Sequence, residues 1–438
     1  MIEKDIINLI SKNVEEMRDE IVNLTSELVK IPSVNPNYIG VKYEDVVGGE
    51  KKANEFLAKK IKDWGCKIDL WEPVPGRANL VAVFKGEGGG KSLMLNGHID
   101  VVPEGNLKLW KYPPFSGKVA EGKIWGRGAS DCKGGLVAAL YAIRAIQKAG
   151  LKLKGNVIFA STAGEETGEG GAEGVKPIGA ITVVERGYKA DAAIIVEQYD
   201  GIWVTQPHLL WLRVTVEGKA THAMFRYELI HAGGRGAEIG VSAIDKGFKI
   251  YQSLKELELQ WGITKKHKLL PPGLFTLGVN VIRGGPGELR TPFIIPDNFV
   301  MDCCIWAHPE EKVEDIKKEI ENHINAICST DEWLKDHRPK VEWVLWWPPF
   351  TTPLDHPIVK TVSEAYEAIT GKKPIITGCP AVLDAPFLTR IPTVSHGAGG
   401  AGTDTEHAEN EFIVIDDITR AAKVLAIAIL DWCGYKKE

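Results

Sequence analysis

Residues 134–161 read GGLVAALYAIRAIQKAGLKLKGNVIFAS. Leu136, Val137, Leu140, Ile143 and Ile146 recur about every third or fourth position, which predicts a helix with an apolar face over Gly134 to Ala149. Val157 to Ala160 then forms a short apolar run that reads as a strand. Working outward, Ser92 to Leu95 is a strand before this helix, and Ala192 to Val196 is a strand after the pair. Strand, helix and strand in alternation predict an α/β fold, a mostly parallel sheet with helices on both faces.

Toward the amino end, apolar residues from Ile6 to Leu28 keep helical spacing over residues 3 to 30, and Pro32 stops them. A second helix is expected over Glu50 to Trp64, then strands over Lys67 to Trp71 and Asn79 to Phe84. Lys85 to Ser92, KGEGGGKS, superficially resembles a phosphate loop, but a strand follows it where a helix is needed, so a hairpin turn is expected. Gly397, Gly399 and Gly402 match G-x-G-x-x-G, yet no helix begins there, and a plain glycine loop is expected.

After Gln206 the pattern changes. Strands at Leu210–Val216, Phe275–Ile282, Phe299–Ile305 and Val341–Trp346, with helices at Gly236–Leu259 and Val313–Ile327, spell β-α-β-β-α-β, the α+β ferredoxin-like unit. From Trp347 the α/β pattern resumes, with helix Ile358–Ile369, strand Thr393–His396 and helix Asp417–Trp432. One domain, residues 1–207 and 347–438, is therefore expected to be interrupted by another, residues 208–346. The apolar run of the strand Leu210 to Val216 would allow it to pair edge to edge with a copy of itself.

The balance of 53 basic and 58 acidic residues in 438 gives −5 with no like-charge run, which disfavours nucleic acid or an anionic membrane surface as partner. No stretch reaches the roughly 18 consecutive apolar residues of a membrane span. Seven cysteines without a C-x-x-C pair fit a reducing compartment, and a cytoplasmic location is expected. The hydrolase signatures G-x-S-x-G and H-E-x-x-H do not occur.

Chemistry-bearing residues gather at the predicted strand ends. Ser92–Leu95 runs into His98 and Asp100, which project to the same side of an extended chain. Asp131 precedes the helix beginning at Gly134, Glu165 and Glu166 follow the strand VIFAS, and Glu197 ends AAIIV. In open α/β sheets such ends are where ligands bind. His407, in EHAENEF, offers a second imidazole. A nitrogen-and-oxygen donor set without thiolate suits zinc, or cobalt or manganese, and there are enough ligands for two divalent ions.

Taken together, His98-x-Asp100, the segment WKYPPFSGKVAEGKIWGRGASDCKGG, Glu165-Glu166, Glu197 and HAENEF resemble the dinuclear zinc hydrolases that include acetylornithine deacetylase, succinyl-diaminopimelate desuccinylase, aminoacylase and carboxypeptidase G. The resemblance implies that His98 and Glu197 hold one metal and Glu166 and His407 the other, with Asp131 bridging. It further implies that Asp100 orients His98, that Glu165 is the general base acting on a bridging water, and that the insertion is a lid and dimerisation domain. His222, in EGKATHAMF, matches the lid histidine that stabilises the oxyanion in the partner subunit's site. Where relatives place Asn and Arg in the lid, this chain has Phe293 and Trp306, with Arg290 nearby. The expected protein is thus a cytoplasmic, homodimeric two-zinc amidohydrolase acting on an acyl-amide bond of a small molecule. A dipeptidase or aminopeptidase of the same family, and a metal-dependent binding protein without catalysis, are the alternatives.

Overall fold

The computed structural model describes residues 2–286, 291–399 and 405–437; Arg290 and Gly402 lie outside the described residues. The chain divides into two compact units. The first comprises Met1–Thr205, Phe350–Cys379 and Leu383–Glu438; the second comprises Gln206–Pro349 with Pro380–Val382.

The first unit is built on eight strands: β1 (Lys67–Val74), β2 (Arg77–Phe84), β3 (Leu93–His98), β4 (Val157–Thr162), β5 (Ala192–Ile195), β6 (Ile202–Trp203), β7 (Ile376–Thr377) and β8 (Thr393–Ser395). Their order is β1-β2-β4-β3-β5-β8-β6-β7. The centre is parallel, β4 with β3, β3 with β5 and β5 with β8, whereas β1, β2 and the β2–β4 pairing are antiparallel. The sheet is therefore mixed but mostly parallel through its middle. Because β2 and β3 each pair with β4 and not with one another, Lys85–Ser92 is a crossover connection, not the expected hairpin.

Six longer helices belong to this unit: α1 (Lys4–Glu16), α2 (Arg18–Val29), α3 (Gly49–Ile61), α4 (Gly134–Lys148), α5 (Pro357–Thr370) and α6 (Ile415–Cys433). The expected first helix is two, broken at Met17, whose φ of −96° and ψ of 9° leave the helical basin. Helix α4 is buried almost all round, and replacing Leu140 by Ala would cost about 2–5 kcal/mol through lost transfer energy and the cavity left behind. Its start lies hard against the end of β5: a Cβ on Gly135 would sit 1.8 Å from the Val196 carbonyl oxygen. Glycine there brings the helix start close to the strand ends. No described helix is long and apolar enough to cross a membrane.

The second unit has a four-stranded antiparallel sheet in the order Thr276–Gly285, Asn298–Ala307, His208–Glu217, Lys340–Trp347, with helices Ala243–Thr264 and Val313–Ser329. Along His208–Glu217, Leu210, Leu212, Val214 and Val216 are buried in a core with Ile250, Leu254, Ile316 and Ile320 of the two helices. This strand is paired on both sides, Leu210 opposite Ile305 on one and Trp346 on the other. It is central, and it has no free edge for a copy of itself, which corrects the expectation placed on Leu210–Val216. The expected helix from Gly236 begins only at Ala243, where Ser242 caps it by accepting the Asp245 N–H at 3.2 Å.

Candidate metal centre

Parallel pairing fixes the first relationship in the site. In register, His98 at the end of β3 stands beside Thr162 at the end of β4, and Asn96 stands beside Ile195 at the end of β5. The loops that leave β3, β4 and β5 therefore emerge at one edge of the sheet, and they carry Asp100, the Glu165–Glu166 pair and Glu197. Asp131 comes from Ala129–Lys133, the segment that enters α4, and His407 from the stretch before α6.

Asp131 lies between the two imidazoles. Its Oδ1 is 2.8 Å from Nε2 of His98, and its Oδ2 is 3.3 Å from Nε2 of His407. Glu197 flanks the first imidazole at 3.5 Å, and Glu166 flanks the second at 3.0 Å. His98, Asp131, Glu165 and Glu197 are buried, while the His407 side chain is 54% exposed and forms the open side of the cluster. The structure thus brings together His98, Asp131, Glu166, Glu197 and His407.

Burial, with the neighbouring Asp131 charge, pushes Glu166 up to about 7. Burial and the charges of Asp384, Glu166 and Glu197 raise Glu165 well above the carboxylate range. Glu197 is raised by burial and by Asp131 and Glu166. Hydrogen bonds to Asp131 and Glu166 push His407 up to about 11. Desolvated carboxylates that face one another are stabilised by a cation placed among them. Imidazole nitrogens and carboxylate oxygens at these separations fit divalent ions of the zinc, cobalt or manganese type.

Asp100 acts differently from the expectation. Nδ1 of His98 lies 2.9 Å from the main-chain oxygen of Asp100, and the nearest Asp100 carboxylate oxygen is 3.8 Å away. The main chain of Asp100 therefore orients His98. Its carboxylate accepts the N–H of Glu165 at 3.2 Å, the N–H of Glu166 at 3.1 Å and Nδ2 of Asn35 at 2.8 Å. One fully buried aspartate thus aligns the first imidazole and anchors the glutamate pair.

Several site residues escaped the sequence reading. Cys132 brings a sulfur near His98 and Glu197, but its Sγ accepts the His98 N–H at 3.1 Å and donates to the His98 carbonyl at 3.2 Å. Burial raises the thiol, so it stays protonated and is a poor ligand. Glu411 receives Arg127 Nη1 at 2.8 Å and the backbone N–H groups of Gly128, Ser130 and Asp131 at 3.0, 3.0 and 3.2 Å. Arg127 Nη2 in turn donates to the His407 carbonyl at 3.2 Å. This pair holds the Asp131 segment against a His407 whose φ of 61° is left-handed, a conformation that costs a non-glycine residue of order 1 kcal/mol or more. Asp384, buried and pushed up to about 7 by burial, accepts the Thr162 hydroxyl at 3.3 Å behind the strand ends. Glu411 lay within the quoted HAENEF motif; Asp384 carried no local signal.

In the second unit His222 is exposed and paired with Ile294, and its Nδ1 accepts the Met224 N–H at 3.0 Å. Phe293 is 68% exposed, and its carbonyl accepts the Ala223 N–H at 2.8 Å. Trp306 is half-buried within Asn298–Ala307, opposite Leu209 and Thr276.

Residues 94–431 match the sequence pattern of Peptidase family M20/M25/M40. Over 100% of both chains, this protein is 32% identical to an N-formyl-4-amino-5-aminomethyl-2-methylpyrimidine deformylase of Halalkalibacterium halodurans. It is 30% identical to the Bacillus subtilis deformylase of the same name, over 98% of each chain. Its fold is similar to that of human carnosine dipeptidase 1, with a TM-score of 0.71 at 17% identity over 98% of each chain. With its strand-end cluster of imidazoles and carboxylates, the chain belongs to peptidase family M20/M25/M40 and is a metal-dependent hydrolase of acyl-amide carbon–nitrogen bonds.

Proposed function

We propose that the protein is a deformylase, which hydrolyses the formamide of a small aminomethyl-substituted aromatic heterocycle and releases formate and the free amine. The observation that carries the reaction is the placement of Asp131 between His98 and His407, with Glu197 and Glu166 beyond them. In this reading His98 and Glu197 hold one divalent ion, Glu166 and His407 a second, and Asp131 lies between; zinc is the metal. When bound, the ions supply Lewis acidity toward the formyl oxygen and toward water. Glu165 takes a proton as water oxygen bonds to the formyl carbon, and returns it to the amine nitrogen as the C–N bond breaks. Burial raises the proton affinity of Glu165 above that of an ordinary carboxylate, which suits a group that must take up a proton.

The substrate class rests on the full-length similarity to the two deformylases and on the lid side chains. Phe293 offers exposed aromatic surface beside the strand of His222, where a carboxylate-bearing acyl group would find no hydrogen-bond donor in the ring. Because Nδ1 of His222 accepts a backbone N–H, the neutral ring carries its proton on Nε2, the donor an oxyanion requires. We assign the second unit as a lid and dimerisation domain, with His222 serving the partner's site. Since His208–Glu217 is central, its edge strand Thr276–Gly285, with Val281 and Ile282 each 42% exposed, is the pairing edge we favour. Cysteines that remain thiols accord with a reducing compartment such as the cytoplasm.

Turnover of N-formyl-4-amino-5-aminomethyl-2-methylpyrimidine, N-succinyl and N-acetyl amino acids and dipeptides, read as the newly freed amine with zinc, cobalt or manganese present, tests this reading. The formyl heterocycle should exceed the succinylated substrates in kcat/KM by tenfold or more. A tenfold preference for the succinylated compounds, about 1.4 kcal/mol in transition-state binding, would overturn it.

A further inference from the structure

Glu165 and Glu166 sit on a single 3-10 turn, Glu165–Thr167, flanked by Gly164 and Gly168, both left-handed at φ 82° and 78°. Such a turn has no strand or helix to hold it, so its position depends on what grips its ends. The N–H of Glu169 closes the turn on the Gly164 carbonyl at 2.8 Å, and the Glu169 side chain is 6% exposed. Its carboxylate oxygens accept Nη1 of Arg77 at 2.8 and 2.7 Å. Arg77 is 1% exposed, and its Nε and Nη2 donate to the equally buried Glu50 at 2.5 and 2.6 Å.

The same glutamate leads back to the site. Thr167 Oγ1 donates to Glu169 Oε2 at 2.8 Å, and Asn37 Nδ2 donates to Oε1 at 2.5 Å. Thr167 Oγ1 also accepts Nδ2 of Asn35 at 3.0 Å, and that amide reaches the Asp100 carboxylate, which holds the N–H groups of Glu165 and Glu166. A buried ion pair is a weak source of net stability, because apolar residues of the same volume commonly replace it without loss. Its distinctive property is fixed geometry: the planar guanidinium donates to two carboxylates at set angles.

We infer that Arg77 is a positioning residue for the reaction: with Glu50 and Glu169 it forms a buried clamp that sets the turn carrying Glu165 and Glu166, acting through Thr167, Asn35 and Asp100. This rests on Glu165 as the base. The clamp lies on β2 and α3, so the placement of the base is tied to the sheet and not to the loop itself.

The test uses the metal-saturated protein and three variants: Thr167→Val, which removes one hydroxyl and no charge, Arg77→Lys, which keeps the charge and loses the fork, and Glu165→Gln. Thr167→Val and Arg77→Lys should keep KM within about threefold, lower kcat at least tenfold and shift the acid limb of the kcat–pH profile. Hydrogen–deuterium exchange across residues 164–169 of the metal-free protein should quicken in both. A lower melting temperature with kcat, pH profile and turn exchange unchanged would show a purely structural role and overturn the inference. Should Arg77→Lys fail to fold, Thr167→Val decides by the same measurements. Full activity in Glu165→Gln would instead remove the assignment of the base, a failure separable from that of the clamp.

Discussion

Asp131 holds its Oδ1 2.8 Å from Nε2 of His98, at the end of the central strand β3. The opposite oxygen lies 3.3 Å from His407, which is 276 positions further along the chain. Two imidazoles that share one carboxylate in this way define the line along which cations would be held, and the consequences can be measured.

Glu165→Gln should fold, keep its metal content and lose 10²–10⁴-fold in kcat, the range expected for a missing general base. Metal analysis alongside steady-state kinetics checks this. Activity within about threefold of the parent would move the base elsewhere.

Glu411→Gln should weaken metal binding by about 10–100-fold, because Glu411 aligns the Asp131 segment and, through Arg127, the His407 loop. It should also lower stability by several kcal/mol, since Arg127 would be left as a buried charge. Chelator competition reads the first effect and thermal melting the second. An unchanged metal affinity would mean that the loop holds its shape without the carboxylate.

His208 gives a pH dependence with a definite sign. Its Nδ1 accepts Trp346 Nε1–H at 3.0 Å, its Nε2 lies 3.0 Å from the Glu311 carbonyl, and burial pushes it down to about 4. The neutral ring is therefore the native form, while the unfolded chain titrates near 6.5. Its stabilisation is complete above the unfolded value and is lost as pH falls from about 6.5 toward 4, up to about 3 kcal/mol at 1.36 kcal/mol per pH unit. Melting of the protein across that range should show the loss, and His208→Gln should flatten it. An unaltered slope in the variant would assign the effect to other groups.

Mixing Glu165→Gln chains with His222→Ala chains, each inactive alone, should restore part of the activity if His222 serves the partner's site. Each hybrid dimer then contains one site with an intact base and an intact lid histidine. No rescue among subunits shown to exchange would count against a shared site.

His98, Asp100, Asp131, Glu165, Glu166 and Glu197 were legible because each follows a short apolar run or opens a helix, so a strand and its end could be read from local periodicity. The apolar stripe of α4 and the β-α-β-β-α-β order were legible for the same reason: side-chain spacing of two or near 3.6 reports burial directly. What surrounds these residues was not. Arg127 meets Glu411 across 284 positions and Arg77 meets Glu169 across 92, and no local pattern distinguishes a buried ion pair from solvated charges. The same limit applies to Leu210–Val216, whose apolar alternation suits an edge strand or a central one equally; only its pairing with both neighbours made it central. Local sequence therefore determined which imidazoles and carboxylates stand at the strand ends. The long-range packing decided how they are held, because desolvation and hydrogen-bond geometry come into being only when distant segments meet.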